Sequence, residues 1–272
     1  MLPYVMSALD FAALMRAEKQ LARSSAVAAP APASAAEPKQ QQRRPPPDAA
    51  TAALDASRPR PALQVLPGAP PTIAYAADWI SEAEEAAIVA AAKRGDDWVT
   101  VRGRLLRRLG GPAGEAGFAP EPLPRGARDA CAAAAASDTS SRPVPNHVLV
   151  NAYDFSKESY VLPHTDGPAY DDRTFTLSCG ADAVVVFKER LKTSDIGVRA
   201  AATRCEVLLR RRSLLAFSRE ASTECTHEIG AAPDTIGLCC VNLDAADARV
   251  GDVVGRAGER VSFTLRCARG AE

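Results

Sequence analysis

The chain has 272 residues, 47% of them hydrophobic, and 33 Lys plus Arg offset 33 Asp plus Glu. That length accommodates one domain of roughly 200 residues with a substantial core, plus a tail; the neutral balance says nothing about partners. No apolar run approaches the ~20 residues needed to span a bilayer, so no membrane segment is expected.

Residues 1–68 read as a tail. The stretch 26–67 is rich in Ala, Pro and Gln, including Gln40-Gln41-Gln42 and Pro45-Pro46-Pro47. It is too poor in large apolar side chains to form a core, so disorder is expected. The start differs: Leu9, Phe11, Leu14, Met15 and Leu21 lie among Arg16, Glu18, Lys19 and Arg23. That pattern fits a short amphipathic helix, either docking on a protein partner or serving as an organelle transit peptide, against which Asp10 and Glu18 count.

Residues 69–143 read as N-terminal helices and a basic lid. A short edge strand is expected over 72–75, and Ser81-x-x-Glu84 is a capping box opening a helix that ends by Gly95. Over 93–143 nine basic side chains face six acidic ones, with Arg102, Arg104, Arg107 and Arg108 clustered before the turn Gly110-Gly111-Pro112. Such a cluster suits phosphates or is a solvated basic hairpin. A second helix is expected over the Ala-rich segment 126–136.

Strands follow at 147–153, 160–164, 174–179, 183–188, 206–209, 213–217, 223–229 and 260–267. Many short strands with few helices indicate a mainly β protein with flanking helices, its core a double-stranded β-helix (jelly roll) over 144–269. Two longer segments interrupt it, 191–204 and 230–258, and the second carries no obvious chemistry.

The chemistry concentrates in three residues. His164-Thr165-Asp166 places two ligands at i and i+2, on one face of an extended strand. With His227 downstream they make the facial ligand set that holds non-haem Fe(II) and leaves coordination positions open. The chain has only three histidines. The third, His147, reads as a hydrogen-bonded structural histidine. Arg260, Ser262, Thr264 and Arg266 share one face of the last strand, either a solvated surface or an inward face whose guanidinium forks bind carboxylates.

The order Asn151-x-Tyr153, His164-x-Asp166, His227 and Arg260-x5-Arg266 resembles the Fe(II)/2-oxoglutarate-dependent dioxygenases of the AlkB family. One branch, AlkB homologue 6, is similar in Pro145-Asn146-His147-Val148-Leu149-Val150-Asn151, His164-Thr165-Asp166-Gly167-Pro168 and the strand from Arg260 to Arg266. Arg104-Leu105, Gly110-Gly111-Pro112 and Pro120-Glu121-Pro122-Leu123-Pro124 add to it. The similarity runs from about Pro71 to Arg269. It implies Fe(II) on His164, Asp166 and His227, with 2-oxoglutarate and dioxygen as co-substrates. Arg260, helped by Tyr153, would take the remote carboxylate of 2-oxoglutarate, and Asn151 and Arg266 its other end. Ser262 stands where the wider family commonly has Asn.

The resemblance further implies oxidative demethylation of alkylated nucleic acid. Arg102, Arg104, Arg107 and Arg108 would contact substrate in the lid, and Tyr170 at the mouth, with Asp171 and Asp172 beside it. The alternatives are the same chemistry on protein or a small molecule, and a non-catalytic nucleic-acid-binding module. The seven cysteines, odd in number and without C-x-x-C spacing, argue for reduced thiols in a nuclear or cytoplasmic protein and against a structural zinc site. A monomer is expected.

Overall fold

The computed structural model describes residues 54–114, 117–196, 199–231, 234–254, 256 and 258–270. The expectations for residues 1–53, the amphipathic start among them, lie outside the described residues. Along the chain run β1 (Gln64–Val65), β2 (Ile73–Ala76), α1 (Glu82–Lys93), β3 (Val99–Val101), β4 (Arg104–Leu109), β5 (Ala113–Gly114), β6 (Gly117–Phe118) and α2 (Arg125–Ala136). Then come β7 (His147–Asp154), β8 (Val161–His164), β9 (Tyr170–Gly180), β10 (Ala183–Glu189), β11 (Thr203–Leu209), β12 (Leu214–Phe217) and α3 (Glu220–Thr223). The remainder are β13 (Cys225–Ile229), β14 (Asp234–Thr235), β15 (Val253–Val254) and β16 (Glu259–Ala268).

Two sheets make the body. The major sheet has the order β1-β2-β12-β9-β16-β7-β4-β3, and the minor sheet β11-β10-β13-β8. Its centre, β12-β9-β16-β7 against β11-β10-β13-β8, is the jelly roll expected from the strand pattern. The hairpins β1–β2 and β3–β4 widen the major sheet at either side.

Alternation along the strands sorts side chains between the two faces. Val148, Val150 and Ala152 of β7 pair with Leu265, Phe263 and Val261 of β16, and all six join one buried cluster. The helices cover this outer face. In α2, Ala127, Ala130, Cys131 and Ala134 recur at helical spacing and are buried; such small side chains let the helix axis approach the sheet. α1 begins as expected: Ser81 accepts from the Glu84 N–H, and the Glu84 carboxylate accepts from the Ser81 N–H.

The inner faces of the two sheets meet over a second cluster. Tyr75, Tyr153, Leu215 and Phe217 of the major sheet pack with Val185, Phe187, Cys205, Val207 and Ile229 of the minor one. The same inner face also carries polar side chains, among them Asn151, Ser262 and Arg260, and there the site lies.

Three expectations need correction. Residues 54–68 are not part of a tail: Leu54 and Leu66 are buried, Arg60 pairs with Glu84, and β1 pairs with β2. For that reason the strand expected at 72–75 is not an edge; it lies between β1 and β12. The segment Arg102 to Arg108 is not a separate lid either, because β4 pairs along its whole length with β7. Arg102 and Gly103 form the tight β3–β4 turn, both with positive φ (49° and 73°), which suits a two-residue hairpin.

The 230–258 insertion has a structural task. Ile236, Cys240, Ala246 and Val254 bury Val184 and Leu208 on the outer face of the minor sheet. It also closes the free edge of β11, where the Asn242 side chain accepts from the Leu208 N–H and donates to its carbonyl, both at 2.9 Å. An open strand edge is a template for unwanted pairing, and here it is occupied.

Candidate metal and co-substrate site

β8 and β13 are antiparallel neighbours that set His164 opposite His227, and their rings lie 4.3 Å apart. β8 ends at His164, so Asp166 is not in the strand as its spacing suggested but in the connection to β9. Ligand atoms of His164, Asp166 and His227 nonetheless all fall within 4.8 Å of one another. Phe187 and Phe217 pack against the His227 ring at 6.1 and 5.1 Å and shield it.

The protonation states favour a cation. His164 Nδ1 is 2.9 Å from the Leu162 carbonyl; a carbonyl only accepts, so Nδ1 carries the proton and Nε2 keeps its lone pair. Burial, with His227 next to it, pushes the His164 imidazole down to about 4. Burial likewise lowers His227, against the pull of Asp166. For Asp166, burial acts to raise the carboxyl, but Arg266, then His227 and His164, outweigh it and hold it well below the usual carboxylate range. Two neutral imidazoles and one carboxylate thus converge.

Asp166 is fixed from both oxygens. Arg266 Nη1 donates to Oδ1 at 2.7 Å and Thr174 Oγ1 to Oδ2 at 2.7 Å. The sequence reading missed Thr174. Its signal was parity, since Thr174, Thr176 and Ser178 alternate with Phe175 and Leu177 along β9. Arg266 was expected on the co-substrate, but in the structure it orients Asp166. Its guanidinium also lies 3.8 Å from the centre of the Tyr170 ring, so Tyr170 belongs to β9 and backs the site.

β16 sends its polar face inward. Across the sheet, Arg260 stands in register with Tyr153, and Ser262 with Asn151. Arg260 is 0% exposed and its guanidinium lies 5.3 Å from the Tyr153 ring centre. Its Nη2 donates to Ser178 Oγ at 3.1 Å, while Nε and Nη1 have no partner. Among the described residues no carboxylate forms an ion pair with it. A permanently charged group is expensive to bury unpaired, so this site is built for an anionic oxygen. A cluster that could hold a metal and an unmet guanidinium in the same interior fit a metal together with a carboxylate ligand.

The remaining candidates divide. Arg104 and Arg108 pair in register with Tyr153 and Leu149, on the inner face. Arg107 points to the outer face, bound to Asp97 and the Ala92 carbonyl, and is not brought to the site. Arg102 sits at the hairpin tip, its Nη1 3.3 Å from the Tyr160 hydroxyl. Asp171 and Asp172 are engaged by Arg142. His147 is buried as expected, packed 5.2 Å from the Tyr170 ring, but neither ring nitrogen has a hydrogen-bond partner. Burial and then the nearby Arg266 and Arg108 push it down to about 3, so it is neutral.

No protein-family model matches the chain. A curated relative from Danio rerio, described as "Probable RNA/DNA demethylase ALKBH6", is 30% identical over 204 residues, which span 73% of this chain and 86% of the relative. Among solved structures, "The structure of OsALKBH1" is similar at 19% identity and a TM-score of 0.45, covering 75% of this chain and 99% of that one. A 2OG-Fe(II) oxygenase family oxidoreductase from Burkholderia pseudomallei is similar at 16% identity and a TM-score of 0.45, covering 74% and 86%. The extent of the match to the zebrafish relative decides the question: this chain belongs to the AlkB family of Fe(II)/2-oxoglutarate-dependent dioxygenases, in its ALKBH6-like branch.

Proposed function

We propose that the protein oxidatively removes alkyl groups from nucleic acid. The observation that carries the chemistry is Arg260, a buried guanidinium with two unpaired nitrogens on the same strand, β16, as the Arg266 that holds Asp166 of the His164, Asp166 and His227 cluster. The nucleic-acid substrate is supported by the relative's description as an RNA/DNA demethylase and by Arg108, half-buried on the inner face, for which no carboxylate partner occurs among the described residues.

In this reading His164 Nε2, an Asp166 oxygen and His227 hold the iron. Arg266 and Thr174 keep the Asp166 carboxylate turned toward the two imidazoles. Arg260 pairs with the remote carboxylate of 2-oxoglutarate over the Tyr153 ring, and Asn151 lies one row further along the same face. Iron with 2-oxoglutarate and dioxygen supplies the oxidising power: the keto acid is decarboxylated to succinate as a substrate C–H bond is hydroxylated. A hydroxylated N-methyl group then loses formaldehyde. The residues bind, orient and exclude water, the last through Phe187 and Phe217.

The test is formaldehyde release with Fe(II) and 2-oxoglutarate across methylated DNA, methylated RNA and methylated peptides. Release from an oligonucleotide, with binding that weakens steeply as salt rises, is the expected result. Release from peptides alone assigns the chemistry to protein. Salt-sensitive binding without formaldehyde or succinate would leave a non-catalytic binder.

A further inference from the structure

We propose that Arg104 is the second guanidinium of the anion site built around Arg260, and that it takes the remote carboxylate of 2-oxoglutarate, not a nucleic-acid phosphate. The inference rests on the co-substrate reading above and moves Arg104 from the substrate side of the enzyme to the co-substrate side.

The register makes the case. Tyr153 on β7 has Arg104 of β4 as its partner on one side and Arg260 of β16 on the other. Directly paired residues project to the same face, so the three side chains form one row across the inner face of the sheet. Adjacent strands are about 4.8 Å apart, so the two arginines start about 10 Å from each other; the Arg260 guanidinium lies over the Tyr153 ring, and that of Arg104 reaches the Tyr160 carbonyl with its charge acting on His164.

Arg104 is as poorly satisfied as Arg260. It is 7% exposed, its Nε has no partner, and its single hydrogen bond runs from Nη1 to the Tyr160 carbonyl at 3.4 Å. Among the described residues no carboxylate lies within ion-pair distance of Arg104 or Arg260. The acids whose charge acts on Arg260 are committed elsewhere, Asp182 to Arg210 at 2.8 Å and Asp234 to Arg256 at 2.9 Å. Two buried cations in one row of a sheet repel each other unless an anion lies between them.

Depth selects the anion. Phosphodiester contacts are made by charges that a polymer backbone can reach, and they release counterions to solvent. Arg104 is nearly as buried as the core, at the same level in the sandwich as Tyr153 and Arg260. A small dicarboxylate fits that position, whereas a nucleic-acid backbone does not. Arg108, four residues on along the same face, is more exposed and remains available to phosphate.

The test is calorimetric titration of the purified full-length protein, loaded with Mn(II) in place of iron, using two ligands. 2-Oxoglutarate carries the remote carboxylate; 2-oxobutyrate has the same keto-acid end without it. Arg104→Ala should weaken 2-oxoglutarate binding about tenfold or more and Arg104→Lys should restore part of it. Neither should change 2-oxobutyrate binding or the salt-dependent affinity for a methylated oligonucleotide. Unchanged 2-oxoglutarate affinity in both variants, or loss of oligonucleotide affinity in its place, overturns the assignment. If Arg104→Ala does not fold, Arg104→Lys and Arg104→Gln carry the comparison. Wild-type protein that binds neither keto acid rejects the underlying reading, a result distinct from failure of the Arg104 assignment.

Discussion

At the scale of single residues, the site is recognised by what is left unsatisfied. Arg260 is fully buried with one hydrogen bond, to Ser178. Left without an anion such a group destabilises the fold; paired with one it makes a strong, charge-assisted contact. The two states should therefore respond oppositely to Arg260→Met, which keeps the volume and removes the charge. We expect the thermal midpoint of the ligand-free protein to rise, because well-packed apolar replacements of buried charges are commonly neutral or stabilising by about 1–4 kcal/mol. We expect 2-oxoglutarate affinity to fall by a factor of ten or more, as losing one half of a desolvated charge pair costs about 2–5 kcal/mol. A lower midpoint together with unchanged affinity would make Arg260 an ordinary structural arginine. The site was legible at this scale only in part. The spacing of His164 and Asp166 and the parity of Arg260 and Arg266 are local properties, readable from the chain. That Arg266 serves Asp166, 100 positions away, depends on a turn after β8 that no local pattern encodes.

Elements show what local rules capture and what they miss. The capping box at Ser81 was legible because it is written within four residues. Its further partners were not: Arg58 and Arg60 reach Glu84 from the segment read as tail, and low apolar content concealed that they pack. Burial pushes the Glu84 carboxyl up, but Arg60 and the backbone N–H groups of Ser81 and Asp55 outweigh it and hold it at about 2, against an ordinary value of 4.5. A depressed folded-state value means that Glu84 contributes full stability above about 4.5 and loses it as pH falls from there toward 2. In acid unfolding curves Glu84→Gln should be less stable than wild type at neutral pH, with the difference shrinking through that window; a constant offset would contradict the coupling. The insertion makes a second case, since its residues lack periodicity and its edge-closing function needs β11 to exist first. Asn242→Ala removes both hydrogen bonds to Leu208 and should lower stability by about 1–3 kcal/mol, with more aggregation from the opened edge. Denaturant midpoints and light scattering will show whether it does.

Across the whole molecule, the organising feature is a sandwich whose interior holds an apolar cluster and, along β4 and β16, a line of inward cationic side chains. The jelly roll was legible because eight strands with alternating faces admit few arrangements. Of the two hairpins that widen the major sheet only β2 was legible, because β1 and β3 are just two and three residues long. That extension sets Arg104 in register with Tyr153. The central claim is that His164, Asp166 and His227 form the centre at which 2-oxoglutarate is consumed. It is tested most directly by measuring succinate formed by the purified chain with Fe(II), 2-oxoglutarate and a methylated oligonucleotide. Wild type is compared with a His164→Ala/Asp166→Ala variant of matched secondary structure. The account predicts multiple turnovers in the wild type and none in the variant. Equal succinate from both, or none from either with any methylated substrate, would contradict it.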